Sequence, residues 1–144
     1  MNITSSAFQE GKTIPTKYTY QDIVGGKNIS LPFTWSAVPG NTKSLALSIV
    51  DPHPVAKNWV HWFVINIPKD VTGLAADASQ KAMPKGSKEL LNTYGTLGYG
   101  GPEPPKGSGA HPYVATLFAL NVERLELPEK TSLAEFNKAL EGKV

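Results

Sequence analysis

From Ser44 to Asp51 the chain reads SLALSIVD, with Leu45, Leu47 and Ile49 on one parity and Ser44, Ala46 and Ser48 on the other. Successive strand residues point to opposite faces, so this segment predicts a half-buried strand whose apolar parity runs on to Asp51. Trp59–Ile67 (WVHWFVINI) places Trp59, His61, Phe63, Ile65 and Ile67 on one parity and Val60, Trp62, Val64 and Asn66 on the other. Both parities are largely apolar, the pattern of a central strand covered on two sides. Tyr113–Leu120 (YVATLFAL) predicts a third strand, with Tyr113, Ala115 and Leu117 opposite in direction to Val114, Thr116 and Phe118. Weaker strand signals lie at Ile3–Phe8, Ile29–Trp35 and Thr96–Tyr99. Helical spacing occurs once, over Ser132–Glu141: Ser132 and Glu135 spell a capping box, Leu133, Phe136 and Leu140 share a face, and Gly142 supplies the stop. Between Lys69 and Thr93 no period holds, and we expect a surface excursion with room for one short helix. The class is mainly β.

Length and composition narrow the picture without changing it. The chain of 144 residues fits one domain, 1–144, and 40% hydrophobic with 18% charged residues is globular composition. A net charge of +2 is too small to imply nucleic acid as a partner. No cysteine is present, which excludes disulfide frameworks, thiolate metal sites and cysteine nucleophiles. The longest apolar run, Trp59–Ile67, is far below the ~20 residues that cross a bilayer, so no integral membrane segment is expected. The opening MNITSSAFQEG shows neither a basic nor an apolar leader region, and the expected location is cytoplasmic. Two glycosylation sequons, at Asn2 and Asn28, are read as chance in such a chain.

The candidate chemistry gathers around Gly98–Tyr113 (GYGGPEPPKGSGAHPY), five glycines and four prolines that together forbid a helix or a central strand. Most such stretches are surface loops. The functional alternative is a stiffened loop whose backbone N–H groups converge on an anion. Neither a phosphate-binding GxxxxGK[ST] nor a dinucleotide fingerprint is present, because Pro102, Pro104 and Pro105 preclude the helix that must follow. Asp51 ends a strand, His61 sits inside another, and His111 precedes Tyr113 at the start of the third. Each has an ordinary structural reading, a turn-forming Asp-Pro or a hydrogen-bonded core histidine. Brought together by a sheet, two imidazoles, a carboxylate and a phenol suit a phosphate or carboxylate group; the same set permits a two-histidine, one-carboxylate metal site.

Three ordered blocks carry a resemblance: Asp51-Pro52; Trp59-Val60-His61-Trp62 with Asn66-Ile67-Pro68; and Tyr99-Gly100-Gly101-Pro102-Glu103-Pro104-Pro105-Lys106-Gly107 with His111-Pro112-Tyr113. They resemble the phosphatidylethanolamine-binding protein family, in its compact prokaryotic, Raf kinase inhibitor-like branch. Ile14-Pro15, Tyr18-Thr19, Asn28-Ile29-Ser30, Trp35 and Val38-Pro39 extend the match along nearly the whole chain. The resemblance implies a large central antiparallel sheet packed against a smaller sheet, a short C-terminal helix, and a small anion-binding cavity at one end of the large sheet. It assigns ligand binding to Asp51, Trp59, His61, Gly101, Glu103, Pro104, His111 and Tyr113: Asp51 orients a histidine, His61 and His111 donate, Trp59 and Tyr113 form walls, and the Gly101–Pro105 turn offers the Glu103 N–H. The sequence departs from the family pattern at His53, where a second aspartate is usual, at Pro112, where an arginine is usual, at Glu103 in the turn, and at Val144, beyond which the family continues into a final strand that we expect to be lacking here.

The leading reading is therefore non-enzymatic binding of a small anionic ligand, a phosphate ester or phospholipid headgroup, with no catalytic residue, cofactor or metal. A kinase or protease partner, as some relatives have, is implied only by the resemblance. The alternative is a phosphoester-processing enzyme using His61 or His111 with Asp51.

Overall fold

The computed structural model describes all 144 residues. Its strands are β1 (Asn2–Thr4), β2 (Phe33–Ser36), β3 (Ser44–Asp51), β4 (Trp59–Pro68), β5 (Gly73–Leu74), β6 (Lys88–Glu89) and β7 (Val114–Leu120), followed by one helix, α1 (Leu133–Leu140). A single 3-10 turn spans Thr16–Tyr18. The larger sheet has the order β6-β4-β3-β7 and the smaller β1-β2-β5, every pair antiparallel. The expected class is the observed one: mainly β, two sheets and a short C-terminal helix.

The large sheet is apolar on both faces. Leu45, Leu47, Ile49, Trp62, Val64, Ile67 and Leu117 meet Phe33, Trp35 and Leu74 of the small sheet in one core. Ala46, Val60, Phe63, Ile65 and Leu120 meet Leu125 and, from the helix, Phe136 and Leu140 in a second. Phe136 stacks on Phe63 with ring centroids 4.4 Å apart, so one aromatic pair seats the helix. The helix ends as its sequence prescribes: Ser132 Oγ accepts from Glu135 N–H, while the Glu135 carboxylate accepts from Ser132 N–H. These bonds, the backbone one first, hold the Glu135 carboxyl below its ordinary range.

Strand β4 departs from simple alternation. Its pairing with β3 skips twice, between Leu45/Leu47 and between Ile49/Val50, so β4 carries extra residues near Ile65–Asn66 and at His61. Trp62, Val64 and Ile67 therefore face the small sheet while Val60, Phe63 and Ile65 face the helix, which corrects the single face expected for Trp59, His61, Phe63, Ile65 and Ile67. Asn66 makes one irregularity possible: it adopts a left-handed φ of 57°, which asparagine tolerates. Its side chain then bonds both backbone groups of Leu125, 2.7 Å to N and 3.1 Å to O, tying the C-terminal segment to the sheet.

The weaker expectations shorten or fail for local reasons. Ile3–Phe8 yields only Asn2–Thr4, and Ile29–Trp35 only from Phe33, since Pro32 has no N–H to give a ladder. Thr96–Tyr99 is no strand; one bridge, Leu91 to Leu97, is all that forms between the positive-φ turns at Gly95 and Gly98. The excursion after Lys69 contains the two-residue strands β5 and β6 and no helix.

Candidate functional site

The Gly/Pro segment is fastened at its start. Gly100 N–H donates to His61 O, Gly101 N–H to Asn28 Oδ1 at 2.7 Å, and Tyr20 N–H to Pro102 O. A Cβ at Gly101 would collide with the Tyr18 carbonyl oxygen, so glycine is required by close approach. The Asn28 side chain is consumed here, which leaves its sequon a structural role. Beyond Pro102 the segment crosses the end of the large sheet and encloses a cavity of about 300 Å³, the lower end of the range for ligand sites.

Of the eight residues expected at the site, Asp51, Trp59, His61, Glu103, Pro104, His111 and Tyr113 line this cavity. Gly101 does not; it sits behind, with its N–H already given to Asn28. Sequence reading missed Tyr94, whose ring closes the wall between Trp59, 5.1 Å away edge to face, and Tyr20, stacked at 4.0 Å. Its only advance signal is an aromatic inside a turn, Asn92-Thr93-Tyr94-Gly95.

Asp51 organises the floor. One carboxylate oxygen accepts the His53 backbone N–H at 2.9 Å, and the other accepts from His111 Nδ1 at 2.6 Å. The His111 side chain is fully enclosed, and its second nitrogen lies 2.7 Å from Ser108 Oγ, a hydroxyl that itself donates to Pro105 O at 2.6 Å. Both His111 nitrogens are thus engaged within the protein. His53, standing where the family pattern has an aspartate, lays its ring on His111 at 3.8 Å. Its charge position is exchanged for a stacking one.

His61 sits at the β4 irregularity, and bulges commonly re-aim a side chain beside a site. Its Nδ1 is 2.7 Å from Gly100 O and must be the N–H, because a carbonyl only accepts. Nε2 has no protein partner. Burial lowers the His61 pKa from its ordinary 6.5, outweighing the Gly100 carbonyl and the Asp51 charge, which both favour the imidazolium. The unfolded chain therefore takes up this proton at higher pH than the native protein does, and stability is complete above about pH 6.5 and lost as pH falls below it. Thermal unfolding followed from pH 7.5 to 5 should show a falling midpoint that flattens in His61→Gln; parallel profiles would assign the acid sensitivity to other groups.

Two donors in the wall are unpaired. Trp59 Nε1 and Tyr113 Oη are buried and meet no hydrogen-bond partner. Burial, and next the Asp51 charge, raise the Tyr113 pKa, so the phenol keeps its proton. No group of three or more potential metal-ligating His, Asp or Glu side chains is assembled anywhere in the molecule.

Comparison with known proteins places the family and the fold. The family model described as phosphatidylethanolamine-binding protein matches residues 4–144. A UPF0098 protein of Methanothermobacter thermautotrophicus is 43% identical over 145 residues, covering 100% of this chain and 91% of the relative. One from Aquifex aeolicus is 38% identical over 144 residues, covering 100% and 82%. The crystal structure of Escherichia coli YbcL, described as a new member of the mammalian PEBP family, superposes with a TM-score of 0.90 at 34% identity, covering 98% of this chain and 89% of that one. By sequence along nearly its whole length and by fold, the chain belongs to the phosphatidylethanolamine-binding protein family.

Proposed function

We propose that the protein binds a small anionic group, a phosphate ester or phospholipid headgroup, in the cavity beneath the Gly/Pro segment, without turning it over. The observation that carries this reading is the pair of unpaired buried donors, Trp59 Nε1 and Tyr113 Oη, in residues that line one cavity. A buried donor without an acceptor costs about 1–3 kcal/mol and is uncommon in native proteins; the one other unpaired buried side-chain atom, Thr42 Oγ1, lies away from this cavity. Anion oxygens supply the acceptors. No helix is long and apolar enough to cross a membrane.

The order Asp51–His111–Ser108 has the form of an oriented base beside a hydroxyl. Ser108, however, gives its proton to Pro105 O and does not line the cavity. These bonds favour holding the loop in place over delivering a nucleophile.

Calorimetric titration with phosphoethanolamine and O-phosphoserine tests the proposal. The expected result is saturable binding that weakens about tenfold in Tyr113→Phe and in Trp59→Phe, since a hydrogen bond to a charged group is worth ~1.5–3 kcal/mol. Tyr113→Phe should leave thermal stability unchanged or slightly higher, because it removes an unsatisfied hydroxyl. A destabilised Tyr113→Phe protein with intact affinity would assign the hydroxyl a structural role and overturn the reading.

A further inference from the structure

Residues 103–113 give the cavity Glu103, Pro104, Pro105, His111 and Tyr113, yet they share a single hydrogen bond with the rest of the protein. That bond runs from His111 Nδ1 to Asp51 Oδ2. Ser108 extends the attachment toward the tip: its Oγ meets His111 Nε2 at 2.7 Å and Pro105 O at 2.6 Å, and its N–H donates to Pro105 O at 3.1 Å. Gly107 and Gly109 flank it at left-handed φ of 83° and 84°, and nothing lies within 4 Å of where either Cβ would stand. So thinly held a stretch moves unless Ser108 fastens it.

These contacts need more protons than a neutral His111 can supply. The Asp51 carboxylate takes the ring proton at Nδ1, and the Pro105 carbonyl, which only accepts, takes the hydroxyl proton. His111 Nε2 and Ser108 Oγ are then left lone pair to lone pair at 2.7 Å. Turning the hydroxyl toward Nε2 empties the Pro105 contact instead. One further proton satisfies all three: Nδ1 donates to Asp51, Nε2 to Ser108, and Ser108 to Pro105. Imidazole is a stronger base than carboxylate, so that proton sits on the ring. The titratable groups around His111 are Asp51 from β3, His53 from the turn after it, His61 from β4, Tyr94 from the loop after β6, Glu103, and Tyr113 at the entry to β7. His53, stacked at 3.8 Å, accepts the Val55 N–H at its own Nδ1 and is thereby neutral, while burial keeps His61 neutral.

We propose that residues 103–111 form a lid over the cavity, which Ser108 fastens when His111 carries both ring protons and releases when His111 is neutral. The lid is ordered at low pH and loosens as pH rises through the titration of His111. Global stability moves the other way, falling with acid through His61, so the two effects are separable. No ligand enters this step, and its outcome is independent of the anion-binding reading.

Nitrogen-15 relaxation of the ligand-free protein from pH 5 to 8 tests this, with the His111 ring-nitrogen signals reporting protonation in the same samples. Backbone order parameters at residues 107–110 are expected at about 0.85 while the ring is an imidazolium, falling below about 0.6 with the same midpoint as the ring signals. In Ser108→Ala the segment should stay mobile throughout while His111 still titrates. Ser108→Thr, which returns the hydroxyl, should restore the pH dependence, a recovery that a purely space-filling role for Ser108 does not give. Order parameters that hold constant with pH, whether rigid or mobile, or that change where the His111 signals do not, would overturn control of the lid by His111. An unaltered pH dependence in Ser108→Ala would overturn the part given to Ser108.

Discussion

Glu89→Ala is expected to lower the melting temperature by roughly 15 °C. Glu89 is 7% exposed, and its carboxylate accepts from Trp62 Nε1 at 2.9 Å, Gln80 N at 2.8 Å, Gln80 Nε2 at 3.0 Å and Ser79 Oγ at 2.5 Å. Alanine strands a buried indole N–H and frees the 79–80 turn, whose Gln80 holds a left-handed φ of 61°. With ~1–3 kcal/mol for each stranded donor, the sum comes to about 4 kcal/mol. That is a large part of a typical stability of about 5–15 kcal/mol. Glu89→Gln keeps one acceptor oxygen and should lose about half as much. Thermal and urea unfolding read both variants, and a shift under about 3 °C for alanine would mean the 79–80 turn is held by other contacts.

Asp51→Ala is expected to affect stability and binding together. It leaves the His53 backbone N–H and the His111 ring N–H without their acceptor, a loss of about 3–4 kcal/mol when both bonds involve a buried carboxylate. His111 then has no partner to orient it, and the loop tied through Ser108 and Pro105 loses its anchor. Affinity for phosphoethanolamine should fall at least tenfold. Asp51→Asn, which preserves shape and one acceptor, should recover much of the stability and less of the affinity. An Asp51→Ala protein that melts normally and binds normally would remove Asp51 from the organisation of the site.

The parts of this structure legible in the sequence are those with enough residues to show a period or a cap. Strands β3 and β7 alternate in the core each residue faces, although β3, read as half-buried, is covered on both faces with Ser44, Ala46 and Ser48 buried, and Ser132, Glu135 and Gly142 bracket the helix to its capping residues. The faces of β4 were not legible, because period two assumes one residue opposite one and β4 breaks that rule twice. Asn66 inside an apolar strand was the visible trace of one break, and the apolar neighbours of His61 concealed the other. Strands β5 and β6, two residues each, are too short to carry any pattern and exist through their partners. At the site, residue types revealed Asp51, His61, His111 and the Gly/Pro segment, whereas proton direction could not be read without geometry. Only the fold places His61 Nδ1 on Gly100, both His111 nitrogens on Asp51 and Ser108, and Tyr94 in the wall.

The three tryptophans offer the most direct test of ligand binding. Trp35 Nε1 donates to Val71 O and Trp62 Nε1 to Glu89, while Trp59 Nε1 alone is unpaired. In proton–nitrogen NMR each indole N–H gives its own signal. During titration with phosphoethanolamine at pH 6, the Trp59 indole signal should move downfield and saturate, as its proton acquires an anionic acceptor, while those of Trp35 and Trp62 stay in place. A Trp59 signal that remains fixed at saturating ligand, or three signals that drift together without saturation, would contradict an anion site in this cavity.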